Sequence, residues 1–110
     1  MTMREEKRRR LETRGWKIGG TREFLGLSTE EEAYIELKLK LADAVRRRRQ
    51  ESNLTQVGFA RVIRSSQSRV AKIEAGDRSV SLDLLVRSLF ALGTSERELA
   101  AIIARAKPAA

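Results

Sequence analysis

The chain has 110 residues, enough for one compact domain with an arm and too few for two independent cores. It contains neither cysteine nor histidine, which excludes disulfides and thiol chemistry and removes the commonest metal ligand and acid–base group. The formal net charge of +8 favours a polyanionic partner over a neutral one.

Residues are 41% hydrophobic but only 5% aromatic, so the core is expected to be Leu, Ile, Val and Ala packed between helices. No run of 18 apolar residues occurs, and the first ten residues, MTMREEKRRR, lack the apolar centre of a signal peptide. A cytoplasmic protein is the expectation.

Residues 1–27 form a basic N-terminal arm or extension. Its first 14 residues are too charged and too poor in apolar side chains to fold alone. Gly15-Trp16-Lys17-Ile18-Gly19-Gly20 alternates apolar and polar side chains between glycines, the pattern of an extended arm or a very short strand. Such a segment needs a surface to pack on, either its own domain or another molecule. Phe24, Leu25 and Leu27 follow, enough for one helical turn.

Ser28-Thr29-Glu30-Glu31 is a capping-box pattern that starts a helix, and three successive acids suit its positive end. Ile35, Leu37, Leu39 and Leu41 then alternate with Glu36, Lys38 and Lys40 as a strand would. Helix is still the expectation, because 29–53 has no glycine or proline and Tyr34, Leu37, Leu41 and Val45 fall at helical spacing. Ile35, Leu39 and Ala42 make a second stripe, which calls for a second partner. The basic run Arg46–Arg49 spreads over about 300° of helical arc, so its members cannot all face one ligand. Arg46 and Arg47 are candidate phosphate contacts.

From Thr55 to Gly76 the chain reads as two short helices with a tight turn. Phe59, Ala60, Val62 and Ile63 give the first its apolar face, Arg64, Ser65 and Ser66 interrupt it, and Val70 and Ile73 restart it before Gly76 closes the second. Gln67, Ser68, Arg69 and Lys72 are left outside, side chains that read base edges or hold phosphate. After the loop Asp77–Val80, Ser81 caps a helix with Leu82, Leu85, Val86, Leu89 and Phe90, and Gly93 ends it. Ser95 to Glu98 is another capping box, opening a last helix with Leu99, Ile102 and Ile103, and residues 107–110 are expected to fray.

Thr55-Gln56, Phe59-Ala60, Ser66-Gln67-Ser68, Val70 and Ile73-Glu74-Ala75-Gly76 together resemble the lambda-repressor-like (Cro-type, XRE) helix-turn-helix family. The resemblance covers Val45 to Gly93 and implies an all-α, compact five-helix DNA-binding domain over 28–106, with the motif at 55–76 and the basic arm ahead of it. It departs at the turn, where Arg64 and Ser65 replace the usual glycine and small apolar residue. A left-handed arginine costs about 1–2 kcal/mol, so a distorted or longer turn is expected. By resemblance, Gln67 and Ser68 contact base edges, Lys72 a base or phosphate, and Gln56 and Ser66 phosphates; Arg69 and Arg78 are further DNA-binding candidates. Arg49 is expected to pair with Glu74, while Arg48 stands where the family has an apolar residue.

Gly15 to Ser28, with the acidic helix start, also resembles the N-terminal half of HigA-like antitoxins. That likeness implies a homodimer that represses its own operon at an inverted-repeat operator and binds a RelE/HigB-like toxin, with Trp16, Ile18, Phe24 and Leu25 as partner-binding candidates. A free-standing regulator and a protein-binding adaptor are the alternatives. No enzyme, cofactor, metal or membrane reading survives. Glu36-Leu37-Lys38 has the spacing of some metal-dependent nucleases but lacks an acidic partner, and Gly19-Gly20 lacks the Lys-Ser/Thr of a phosphate-binding loop.

Overall fold

The computed structural model describes residues 28–105. The arm, with Trp16, Ile18, Phe24 and Leu25, lies outside the described residues. Five helices make up the rest: α1 Thr29–Glu51, α2 Gln56–Val62, α3 Gln67–Ala75, α4 Leu82–Ala91 and α5 Glu96–Ala104. Among the described residues there is no strand, and the architecture is that of a lambda-repressor-like domain.

The starts of these helices follow from five hydroxyls. Ser28, Thr55, Ser66, Ser81 and Ser95 each accept a hydrogen bond from the backbone N–H three residues on, satisfying a donor that the first turn leaves orphaned. At Ser95 the box is complete, because the Glu98 carboxylate accepts the Ser95 N–H in return. Four ends are equally alike: α1 to α4 each close with a paired set of backbone bonds around one left-handed residue, respectively Asn53, Arg64, Gly76 and Gly93. The connections between helices are therefore short.

The 23-residue α1 is the axis of the domain, and α3, α4 and α5 all pack on it while α2 packs on α3. Leu41, Ala42, Ala44 and Val45 of α1 meet Phe59 of α2, Val70 and Ile73 of α3, Leu85 and Leu89 of α4, and Ile102 of α5 in one apolar cluster. Each fully buried Val, Leu, Ile or Phe adds about 1.5–3 kcal/mol, more than α1's helical propensity alone can supply. This packing turns an alternating sequence into a helix.

The stripe that faces the core differs from the expected one in two places. Tyr34 is exposed and Lys38 is buried, at 3% of its accessible area. The Lys38 ammonium lies 5.6 Å from the Tyr34 ring centroid, so the aromatic ring covers it from outside. Val62, Phe90 and Ile103, each expected on an apolar face, are also exposed, lying on the sides of α2, α4 and α5 that face away from the core.

Burial pushes the Lys38 amine below its usual range, with the Asp77 carboxylate opposing the shift. A lysine depressed in the folded state destabilises the fold most when protonated. That penalty fades as pH rises from the lowered value toward the unfolded 10.5. Relative to a Lys38→Met variant, the wild-type protein is therefore expected to gain stability as pH rises toward 10.5, read from urea midpoints at each pH. A difference between the two proteins that stays constant over this range would contradict the assignment.

Candidate nucleic-acid interface

The turn between α2 and α3 is regular, contrary to the expected distortion. Ser65 N–H donates to the Ala60 carbonyl at 2.8 Å and Arg64 N–H to the Arg61 carbonyl at 3.3 Å, with Arg64 at φ 55°. The arginine takes the left-handed conformation that the turn demands. The strain sits in one residue, and the turn closes with the same pair of backbone bonds as the other three helix ends.

A polar chain runs from the core out to the start of α3. Arg49 donates to both carboxylate oxygens of Glu74, through Nε to Oε2 and through Nη2 to Oε1 at 3.0 Å, and its Nη1 reaches the Leu54 carbonyl at 2.8 Å. The two side chains are 12% and 4% exposed, so this pair is desolvated and its geometry decides its value. Hydrogen bonding to Glu74 holds the Arg49 guanidinium above its usual range against the opposing effect of burial. Arg49 thus stays charged, as the buried carboxylate needs.

Glu74 then orders two amides. Gln56 Nε2 donates to Glu74 Oε1 at 3.2 Å, and Gln67 Nε2 donates to Gln56 Oε1 at 2.7 Å. An ionised carboxylate only accepts, so the Gln56 atom facing it must be nitrogen, and its oxygen must face Gln67. Neither amide is free to flip without losing a bond. Gln67 is left with one outward N–H and its carbonyl oxygen, the donor–acceptor pair that matches the major-groove edge of adenine.

On α3 the buried residues are Val70 and Ile73, and a helix of 100° per residue puts Ser68 and Lys72 opposite them, with Gln67 and Arg69 on the flanks. Gln67, Ser68, Arg69 and Lys72 are all exposed. Ser66 is exposed too, but its hydroxyl already accepts the Arg69 N–H at 3.1 Å. Arg78 follows in the exposed loop.

The cations of α1 and α4 have partners within the fold. Arg46 and Arg47 lie on Asp43 at 3.2 and 2.8 Å, in ion pairs on the exposed side of α1. Arg48 lies on Glu98 at 3.0 Å, Arg87 on Asp83 at 3.0 Å, and Lys40 Nζ donates to the Ile103 carbonyl at 3.0 Å. By contrast Arg61, Arg64, Arg69, Lys72 and Arg78, with Arg97 and Arg105 at the far end of the domain, are exposed and enter no ion pair among the described residues. The one acid between residues 54 and 76 is Glu74, consumed by Arg49. Asp77, just past the motif, offsets part of the Lys72 charge, and the helix-turn-helix still presents net positive charge where its polar side chains face out.

A family model described as "Helix-turn-helix domain" matches residues 40–102, more than half of the chain. The chain belongs to the helix-turn-helix domain family. No curated protein and no solved structure matches it. Membership places the helix-turn-helix chain among DNA-binding regulators, and the match begins inside α1 and ends inside α5, so all five helices belong to the module.

Three contacts of the helix-turn-helix chain were invisible in the sequence. The role of Arg48 is a tie between α1 and the start of α5, where Glu98 is already fixed by Ser95. These bonds to Ser95, followed by the Arg48 charge, hold the Glu98 carboxyl below its usual range. The Gln56–Gln67 bond depends on the angle between α2 and α3, and the Lys40 bond caps the far end of α5. Only the Ser95–Glu98 spacing carried a local signal. Among the described residues no helix is long and apolar enough to cross a membrane.

Proposed function

We propose that this protein is a sequence-specific, dimeric transcriptional repressor acting in the cytoplasm, with Gln67, Ser68, Arg69 and Lys72 of α3 reading the major groove. The single observation that carries it is the chain Arg49–Glu74–Gln56–Gln67, which fixes the orientation of a base-reading amide before DNA arrives. Pre-ordering lowers the entropy lost on binding. Gln56, Ser66 and Arg78 serve the phosphates. Phe90 and Ile103, exposed near the ends of α4 and α5, are the apolar side chains for a dimer contact through the terminal helix, as in many proteins the chain resembles. Two recognition helices would then meet half-sites about 34 Å apart, an inverted-repeat operator. No catalytic step or cofactor enters this reading.

The test is affinity for its own promoter fragment against random duplex at one salt concentration. A specific site is expected to bind about 10³-fold or more tightly; equal affinity would remove the repressor. Gln67→Ala is expected to cost about 1–3 kcal/mol and to relax preference at one base pair. Gln56→Ala removes a phosphate donor and also the anchor of Gln67, so it should weaken every sequence and partly relax that same pair. Uniform losses in both variants would show that Gln67 does not read a base.

The finer reading is an antitoxin that binds a RelE/HigB-like toxin through the arm, with Trp16, Ile18, Phe24 and Leu25 as the docking residues. It is supported by the resemblance of Gly15 to Ser28 and by the separation of that segment from the reading face in sequence. A neighbouring frame for a small basic protein, co-purifying with the full chain in high salt and not with a chain lacking residues 1–27, is the expected result. Without such a partner the free-standing regulator is the better description.

A further inference from the structure

We propose that Arg64 is a DNA-backbone contact whose guanidinium binds a phosphodiester at the edge of the groove entered by α3. This rests on the DNA-binding reading above and adds a residue to it.

Four helix ends in this domain use the same pair of backbone hydrogen bonds around a left-handed residue. Two of them use glycine, Gly76 at φ 68° and Gly93 at φ 84°, and a third uses Asn53 at φ 57°, a residue type whose short amide tolerates that region. Arg64, at φ 55°, has neither excuse. Its Cβ is strained there, and its long side chain cannot relieve the strain with a local bond as asparagine can. Backbone geometry alone would favour glycine at this position.

Nothing in the fold repays the arginine. Its side chain is exposed and makes no hydrogen bond or ion pair among the described residues. The only acid in the motif is already bonded by both Arg49 and Gln56. What arginine adds over glycine is a charge at the tip of the turn, two residues ahead of Ser66, the cap of α3. In such a motif the first helix crosses the DNA backbone while the N-terminal residues of the second contact base edges, and Arg64 stands in the turn between the two. Arginine is suited to that place, since its planar fork meets two phosphate oxygens at once. Strain held at an exposed, unpartnered cation is the signature of a residue kept for a ligand rather than for the fold.

The proposal separates stability from binding, which a structural role would not. Arg64→Gly is expected to raise Tm by about 4 °C and yet to weaken duplex DNA on promoter and random sequences alike. The slope of log affinity against log salt should become shallower by about 0.9, so the ratio of wild-type to variant affinity falls about 3.5-fold between 50 and 200 mM salt. Arg64→Asn, which also accepts the left-handed region, should lose the same slope, and Arg64→Lys should keep it; these two variants guard against an effect of glycine flexibility. If wild-type protein binds duplex with a salt-dependent slope and Arg64→Gly matches that slope, the role of Arg64 is overturned and DNA binding stands. If wild-type protein shows no salt-dependent binding to any duplex, the DNA-binding reading itself fails and takes this role with it.

Discussion

Glu74→Ala is expected to destabilise the domain by about 3–5 kcal/mol, because it strands the Arg49 guanidinium in a site only 12% exposed. Such a loss is comparable to the whole stability of a marginal domain, about 5–15 kcal/mol. Arg49 would keep its bond to the Leu54 carbonyl, which cannot neutralise it. Urea unfolding at neutral pH measures the loss, and a value under about 1 kcal/mol would mean that the pair behaves as a surface ion pair. The double replacement of Arg49 and Glu74 by methionine should be far milder than the sum of the single changes, since it leaves no buried charge behind. Stability is only half of the expected result. Glu74→Gln retains the shape and some of the hydrogen bonds, so it should fold, but a neutral amide no longer dictates which end of Gln56 faces it. Gln67 then loses its fixed orientation. Discrimination at the base pair read by Gln67 should fall in a variant whose circular dichroism is unchanged, and full retention of discrimination would break the link between the pair and the reading face.

The parts legible in the sequence were those governed by local chemistry. Ser28, Ser81 and Ser95 stand before apolar periodicity, and Gly76 and Gly93 stand after it, so these helix starts and ends could be read directly, whereas the caps at Thr55 and Ser66 emerged only with the structure. The family pattern brought Arg49 and Glu74 together, 25 residues apart, where spacing alone could not. What stayed hidden depends on the third dimension. Tyr34 and Lys38 exchange expected places because α1 has partners on the side of Lys38, and a periodicity with two apolar stripes does not say which side is covered. Arg46 and Arg47 look like free cations until Asp43, three and four residues earlier, is seen to hold both. At Arg64 sequence logic foresaw the conflict and misjudged its outcome: the turn keeps its geometry and the residue bears the cost. The arm lies outside what the structure describes, so the antitoxin reading still rests on its sequence.

Phe59→Ala is expected to be as costly as Glu74→Ala by a different route. Phe59 is fully buried, and α2 has only seven residues, with Ala60 as its other buried side chain. A helix that short has no independent stability, so its place in the domain depends on this ring. Truncation removes buried surface and leaves a void beneath α2, together about 3–5 kcal/mol, or a fall in Tm of more than about 12 °C. Val62→Ala, in the same helix but half exposed, should change stability by less than about 0.5 kcal/mol and serves as the control. The loss should also be local before it is global. Amides of α2 and of the turn at Arg64 and Ser65 should exchange with solvent faster than those of α1, because α2 packs chiefly on α3 while α1 is held by three other helices. Gln56 rides on α2, so an α2 that opens carries the anchor of Gln67 with it and should lower promoter affinity even at temperatures where the rest of the domain stays folded. Equal exchange across all helices would show that the five-helix unit opens only as a whole, and that the reading face has no weaker point than its core.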